Sequence, residues 1–387
     1  MKLADNKNCT GCHACYSACP KKCIDMIQDG EGFYYPLVSP SECIQCGACV
    51  RACPEINVRE IAHKFEEKAY ACANKDLEIV RNSSSGGLFY TLASEIIHRG
   101  GVVFCAGYDQ EWNICHVAID SLAALKDNLG SKYVQSRIGD TYRQVKSLLK
   151  DNRLVYYSGT PCQIEGLYSY LGKKYDSLIT QDILCHGVPS PKVWQKYISY
   201  RMTQDHTEEC PKIKRISFRD KSISWAVFSM KIEYGDGSAY SATLRNDLYL
   251  RTFLRNVTLR KSCYHCKHKD LKRSADITLA DCWSSPIYLR AFVEKHTTGI
   301  SLVILHSVKG KELFDSVCDK LDYQAFLDIK GIKNGGLGRS AFYNWERSKY
   351  FKAIDRFDFK ELYNRFCSDK FILKVRRTIA RKINGGE

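Results

Sequence analysis

The chain has 387 residues, 44% of them apolar, with 20 cysteines and a formal net charge of +15. That apolar share supports a packed core and excludes a disordered chain, and the length leaves room for a catalytic domain with one or two smaller modules. No run reaches the roughly eighteen apolar residues of a membrane span, and the opening MKLADNKNC has no apolar leader core, so the expectation is a cytoplasmic protein whose cysteines are metal ligands or redox groups.

The first element is a cysteine run. Cys9, Cys12, Cys15 and Cys19, followed by Pro20, are spaced C-x2-C-x2-C-x3-C-P, and the run returns at Cys43, Cys46, Cys49, Cys53 and Pro54. Thiolates at every third residue wrap three corners of an iron-sulfur cube, and in two-cluster ferredoxins the fourth cysteine of each run ligates the other cluster. The spacing therefore assigns Cys9, Cys12, Cys15 and Cys53 to one 4Fe-4S cluster and Cys43, Cys46, Cys49 and Cys19 to a second. Zinc knuckles are the competing reading, but they need no trailing C-P. The intervening GEGFYYPLVSP suits a hairpin, and Cys23 reads as a buried thiol.

From Lys68 the pattern alternates. KAYACAN, GGVVFCAGYD, ICHVAID, RLVYYSGT and LITQDILC read as strands. LFYTLASEIIHRG, TYRQVKSLLKDN and QIEGLYSYLGKKY read as helices. This alternation predicts an α/β sheet with crossovers, whose ligands bind beyond the carboxyl ends of the strands. Residues 213–245 switch to an antiparallel insertion with a GDG turn.

Three segments fall just after strands. Ser83, Ser84 and Ser85 precede Gly86, Gly87 and a helix, which makes either a seat for a phosphate or flavin pyrophosphate or an ordinary capped helix. Cys162 stands at one strand-to-helix turn, and Cys185 with His186 at the next strand end. Cys263 and Cys266 form a later CxxC; if they meet Cys162 and Cys185 in space, the four thiolates make a third cluster site. Half a zinc site or a redox dithiol are the alternatives, with His186 and His265 as spare ligands.

The segments SSSGG, GSKYVQS, SGTPCQ, DILCHGVPSP, SFRDK, LRKSCYHC, ADITLADCW and GISLVILHSVKG, following the duplicated cysteine run, resemble the coenzyme F420 hydrogenase/dehydrogenase beta subunit family over most of the chain. The resemblance implies an FAD-binding α/β domain with its own 4Fe-4S cluster, relaying electrons between clusters and a two-electron carrier, which is a deazaflavin in the hydrogenase and dehydrogenase complexes. Bacterial relatives with a fused ferredoxin module occur in polysaccharide biosynthesis. Cys282 departs from the aromatic usual after ITLAD and reads as a packing replacement. Lys132, in GSKYVQS, is a candidate to set positive charge beside a reduced flavin or a carboxylate substrate, against the plainer reading of a solvated helix-end lysine.

The fold expected is α+β: a two-cluster ferredoxin-like domain over 1–65, an FAD and iron-sulfur α/β domain over 66–325, and a helical basic extension over 326–387. In the extension Ile372, Val375, Ile379 and Ile383 share one face among basic residues, which fits a helix docked on its own domain or one lying on an anionic inner membrane face. The positive charge suits an acidic redox partner or a phosphorylated substrate, and no nucleic-acid-binding signature is present. Two functions stay open: a flavin-dependent iron-sulfur oxidoreductase acting on a small molecule, and an electron-transfer or adaptor subunit without substrate chemistry of its own.

Overall fold

The computed structural model describes residues 3–59, 65–206, 211–283, 286–332 and 334–370, with Leu373, Val375 and Thr378 beyond them. In the N-terminal module the two cysteine runs fold alike. Gly11 and His13 in the first, and Gln45 and Gly47 in the second, hold left-handed backbone at φ of 69°, 62°, 53° and 72°. Each pair leads into a short helix, α1 (Ala14–Ala18) and α2 (Ala48–Arg51). Between them β1 (Ile24–Gln28) and β2 (Tyr34–Val38) pair antiparallel as the expected hairpin, Ile24 opposite Val38.

The rest of the described chain begins with β3 (Lys68–Asn74), α3 (Leu77–Asn82), α4 (Leu88–His98), β4 (Val102–Tyr108), β5 (Ile114–Ile119), α5 (Leu122–Asp127) and α6 (Thr141–Lys150). It continues through β6 (Val155–Gly159), α7 (Pro161–Leu171), β7 (Leu178–Ile183), α8 (Pro191–Asp205), β8 (Ile213–Asp220), β9 (Ser229–Tyr234), β10 (Ala239–Thr243) and α9 (Leu248–Leu254). The last elements are β11 (Ile277–Asp281), α10 (Arg290–Lys295), β12 (Ser301–Leu305), α11 (Val308–Asp315), β13 (Leu321–Ala325), α12 (Arg347–Ala353) and α13 (Phe359–Phe366).

Eight strands form one mixed sheet in the order β13-β3-β12-β11-β7-β6-β4-β5. Parallel pairing joins β4 to β6, β6 to β7 and β7 to β11, while β12 runs against both β11 and β3. Alternate residues serve opposite faces, as a strand requires. Val103, Cys105 and Tyr156 face α4 and α11, whereas Val102, Phe104, Val155 and Tyr157 face α6 and α7. Each fully buried Leu or Ile on these faces, Leu92, Ile96 and Leu167 among them, contributes about 1.5–3 kcal/mol of burial.

The insertion forms its own antiparallel sheet, β10-β9-β8. It packs with α8 and α9 around the fully buried Trp194, and Tyr350, Ile354, Phe359 and Leu362 of the C-terminal segment join the same core. The starts of these helices are locally specified. Ser190 accepts from the amides of Lys192 and Val193 ahead of α8, Thr160 and Gln163 close a capping box on α7, and Asp358 with Glu361 does so on α13. Among the described residues no helix is long and apolar enough to cross a membrane. The basic amphipathic face expected through Ile372, Ile379 and Ile383 lies outside the described residues.

Candidate functional site

The two cysteine runs cross over. Cys12 and Cys15 both feel the charges of Cys9 and Cys53, and burial followed by these neighbours pushes the Cys12 thiol up to about 12 and Cys15 upward as well. Cys19, Cys43, Cys46 and Cys49 line a second small pocket, together with Cys23, whose Sγ lies 3.4 Å from Cys19 Sγ. The left-handed residues at 11, 13, 45 and 47 give each loop backbone of the kind that forms anion-binding concavities, which suits an anionic cluster. Among the described residues no three His, Cys, Asp or Glu side chains are disposed to hold a single metal ion. A cubane, with each thiol on a different iron, asks for a wider ring than one ion does.

Cys162, Cys185, Cys263 and Cys266 line one pocket. Cys162 sits in the first turn of α7, Cys185 follows β7, and Cys263 belongs to a short 3-10 turn over Lys261–His265, with Cys266 next to it. Burial raises Cys162 well above the ordinary thiol range, and the charges of Cys185, Cys266 and Cys263 add to it. Donors face the sulfurs: the Val188 amide reaches Cys263 Sγ at 3.5 Å and the His268 amide Cys266 Sγ at 3.4 Å. Two buried cations, Lys269 and Arg273, oppose the cost of a thiolate at Cys185. Four gathered thiols, amide donors and nearby cations fit an iron-sulfur cluster. His186 and His265 line the same pocket, His186 Nε2 pairing with Asn256 Oδ1 at 2.6 Å, while Cys282 is buried elsewhere, beside Ala69, Leu289 and Ile300.

A cleft of about 1420 Å3 opens along the same carboxyl edge of the sheet. Ser83, Ser84 and Ser131 line it, together with Arg219, Lys221 and Trp225. Ser83 Oγ and Arg219 Nε and Nη2 are buried without hydrogen-bond partners, although Arg219 Nη1 is paired with Asp281. Unpaired donors of this kind are costly unless a ligand meets them, and they fit the phosphates of a flavin. Lys221 donates to the carbonyls of Val80 and Ser85, and burial followed by the charge of Arg219 lowers it to about 7.

The rest of the serine-glycine loop is tied to the sheet. Ser85 Oγ donates to the Ile300 carbonyl at 2.7 Å and the Gly86 amide to Ser301 Oγ at 3.0 Å. A Cβ on Gly86 would meet the Cys72 carbonyl at 2.4 Å, so this glycine is required by the close approach of loop to strand. Gly87, at φ 86°, starts α4. Lys132 lies outside the cleft lining: its ammonium donates to the Asn128 and Gly130 carbonyls at 2.9 and 3.2 Å, closing the end of α5, and burial lowers it to about 8.

The module, the thiol pocket and the cleft are contiguous. A methyl on Gly166, four residues after Cys162 on α7, would stand 2.9 Å from Cys12 Sγ, and four helical residues rise about 6 Å. On the other side His186 meets Phe253 edge-on at 5.2 Å, Phe253 stacks on Tyr133 at 4.9 Å, and Tyr133 meets Phe218, a cleft residue, at 5.8 Å.

Cysteine sets beside a mixed sheet with a ligand cleft at its edge define an oxidoreductase-type, iron-sulfur electron-transfer protein. Residues 8–57 match the 4Fe-4S dicluster domain, and residues 152–326 match the family described by the C terminus of the coenzyme F420 hydrogenase/dehydrogenase beta subunit. Over residues 152–326 the chain is similar to that beta-subunit family, and it carries the dicluster domain over residues 8–57. No curated protein matches it. Of the solved structures, it is similar to a chain in the xenon-derivatised F420-reducing NiFe hydrogenase complex from Methanosarcina barkeri, at 16% identity and a TM-score of 0.46 over 79% of this chain and 94% of that one.

Proposed function

We propose that the chain is an iron-sulfur flavoprotein oxidoreductase that exchanges single electrons with a redox partner and electron pairs with a small-molecule substrate or two-electron carrier. One observation carries this reading: four thiols from distant segments line one pocket whose wall includes Asn8 and Thr10 of the cysteine-run module, on the same sheet edge as the cleft. Cys9, Cys12, Cys15 and Cys53 hold one cluster, Cys43, Cys46, Cys49 and Cys19 a second, and Cys162, Cys185, Cys263 and Cys266 a third. Cys46 is exposed, which puts the second set nearest an approaching partner.

In the cleft, Ser83, Ser84 and Ser131 with Arg219 and Lys221 bind the FAD phosphates. Gly86 and Gly87 let their loop lie flat on the sheet, and Lys132 fixes the facing loop by closing α5. Bound there, cubanes carry single electrons and a flavin exchanges electron pairs for single ones. The chain's own part is to fix these groups in a line and to bury the inner thiols from water.

Iron and flavin analysis of the anaerobically reconstituted protein tests this. Cys162→Ser should remove about four irons per chain and leave the paramagnetic signals of the N-terminal module unchanged. Arg219→Gln should weaken FAD binding without loss of iron. Full iron in Cys162→Ser would overturn the third site, and a chain that takes up no flavin would leave an electron-relay subunit.

A further inference from the structure

Arg260 is 0% exposed. Burying a guanidinium costs several kcal/mol unless a negative charge faces it, and among the described residues Arg260 forms no ion pair with a carboxylate. Glu31, the acid nearby, is engaged by Arg347 and Lys261. The Arg260 donors go elsewhere: Nε to the Cys9 carbonyl at 2.8 Å, Nη2 to the Tyr34 carbonyl at 3.0 Å and to Cys9 Sγ at 3.6 Å, and Nη1 to Gln135 Oε1 at 3.0 Å. Tyr35 covers its face, 4.1 Å from ring centre to guanidinium. The one acidic atom the fork touches is a thiol.

Its backbone belongs to the other thiol set. The Arg260 amide donates to the Val188 carbonyl and its carbonyl accepts from the Cys263 amide, both at 3.0 Å. Gly11 leaves room for the fork: a Cβ there would stand 2.9 Å from Arg260 Nη1 and 2.6 Å from Gln135 Nε2. One residue is therefore built into the four-thiol pocket at its backbone and into the Cys9 loop at its side chain.

We propose that Arg260 is a positioning residue that raises the reduction potential of the cluster held by Cys9, Cys12, Cys15 and Cys53, so that this potential is set by contact with the neighbouring domain. A cation and a hydrogen bond at a ligating sulfur favour the extra electron of the reduced cluster. The inference rests on the ligand assignment made above.

The test is a redox titration of the reconstituted full-length chain, followed by electron paramagnetic resonance, for wild type, Arg260→Lys and Arg260→Gln. In Arg260→Gln the reduced-to-oxidised ratio of one cubane at fixed potential should fall at least tenfold, about 59 mV for one electron. The other module cubane should stay in place, and Arg260→Lys, which keeps the charge but loses the fork, should lower the potential of the same cubane by a smaller amount. Equal shifts in both cubanes would mean a general charge effect and would overturn the proposal, as would unchanged potentials with full iron. If Arg260→Gln fails to assemble, Arg260→Lys decides: a shifted single cubane supports the fork, and an unmoved one refutes it. Wild-type protein without cubanes would sink the ligand assignment itself, a result distinct from either.

Discussion

With FAD in the cleft as proposed, Lys221 should make its binding proton-linked. Its ammonium sits between the Val80 and Ser85 carbonyls, and burial, then Arg219, lowers it to about 7, with Asp281 opposing. At pH 6 the flavin-free protein holds most of this lysine charged; at pH 8 about one molecule in ten is. A pyrophosphate beside Lys221 draws the proton back, so affinity follows the charged fraction and weakens as pH rises. From pH 6 to pH 8 the dissociation constant of FAD should rise about tenfold, or about 1.4 kcal/mol. Flavin fluorescence titrations at pH 6, 7 and 8 measure this, and calorimetry in two buffers should show close to one proton taken up per FAD at pH 8. In Lys221→Met the affinity should be flat across this range and no tighter at pH 6 than that of wild type at pH 8. A pH-independent wild type, or a variant that keeps the wild-type slope, would refute the reasoning.

Three further outcomes follow from packing. Gly166→Ala places a methyl 2.8 Å from Cys12 Cβ, so about 1–3 kcal/mol of overpacking outweighs a helix-propensity gain of about 1 kcal/mol; iron should leave the Cys9 set faster under a chelator, and an unchanged release rate would count against the contact. Arg347→Met leaves Glu31 only its longer pair with Lys261 at 3.4 Å and should cost about 3 kcal/mol in urea unfolding, with Glu31→Gln added to it restoring part. Asp247→Ala removes a fully buried carboxylate that accepts from Tyr197 Oη at 2.5 Å, Tyr240 Oη at 3.0 Å and the Leu250 amide at 2.7 Å; a loss of about 3 kcal/mol or more is expected, and less than about 1 would show that the tyrosines find other partners.

What could be read before folding was local. The cysteine rhythm, the Tyr34–Val38 hairpin arm and the strands at Lys68–Asn74 and Leu178–Ile183 announce themselves through spacing, alternation and turn residues. The strands β11, β12 and β13 were not separately legible. SLVIL in β12 is buried at every position, so it lacks the period of two that marks a half-buried strand. The sheet is accordingly more mixed than simple crossovers suggest, since β12 enters between β3 and β11 against both. Arg219 and Arg260 escaped because their meaning lies across the chain: Arg260 and Cys9 are 251 residues apart and Arg219 and Asp281 62. A basic residue three places before a CxxC carries no signal of a buried fork. In the serine-glycine loop, composition could not separate Ser83 and Ser84, which reach the cleft, from Gly86, which the strand claims.

The hairpin turn of the N-terminal module is held as firmly as its thiol loops. Ser190, at the start of α8, donates to the Glu31 carbonyl, Arg347 grips the Glu31 carboxylate, and a Cβ on Gly32 would meet Lys192 Cβ at 2.2 Å. With Arg260 at the Cys9 loop, these two separated points of the module are fastened to residues 190–192, 260 and 347 of the remaining sequence. It is no swinging arm that must travel between donor and acceptor. Passage of charge inside the molecule should therefore be indifferent to solvent viscosity, and any viscosity dependence of turnover belongs to the arrival of a partner or the departure of product. A graft of an unrelated ferredoxin onto residue 66 would bring iron but neither fastening, and would leave the downstream thiols without a neighbour.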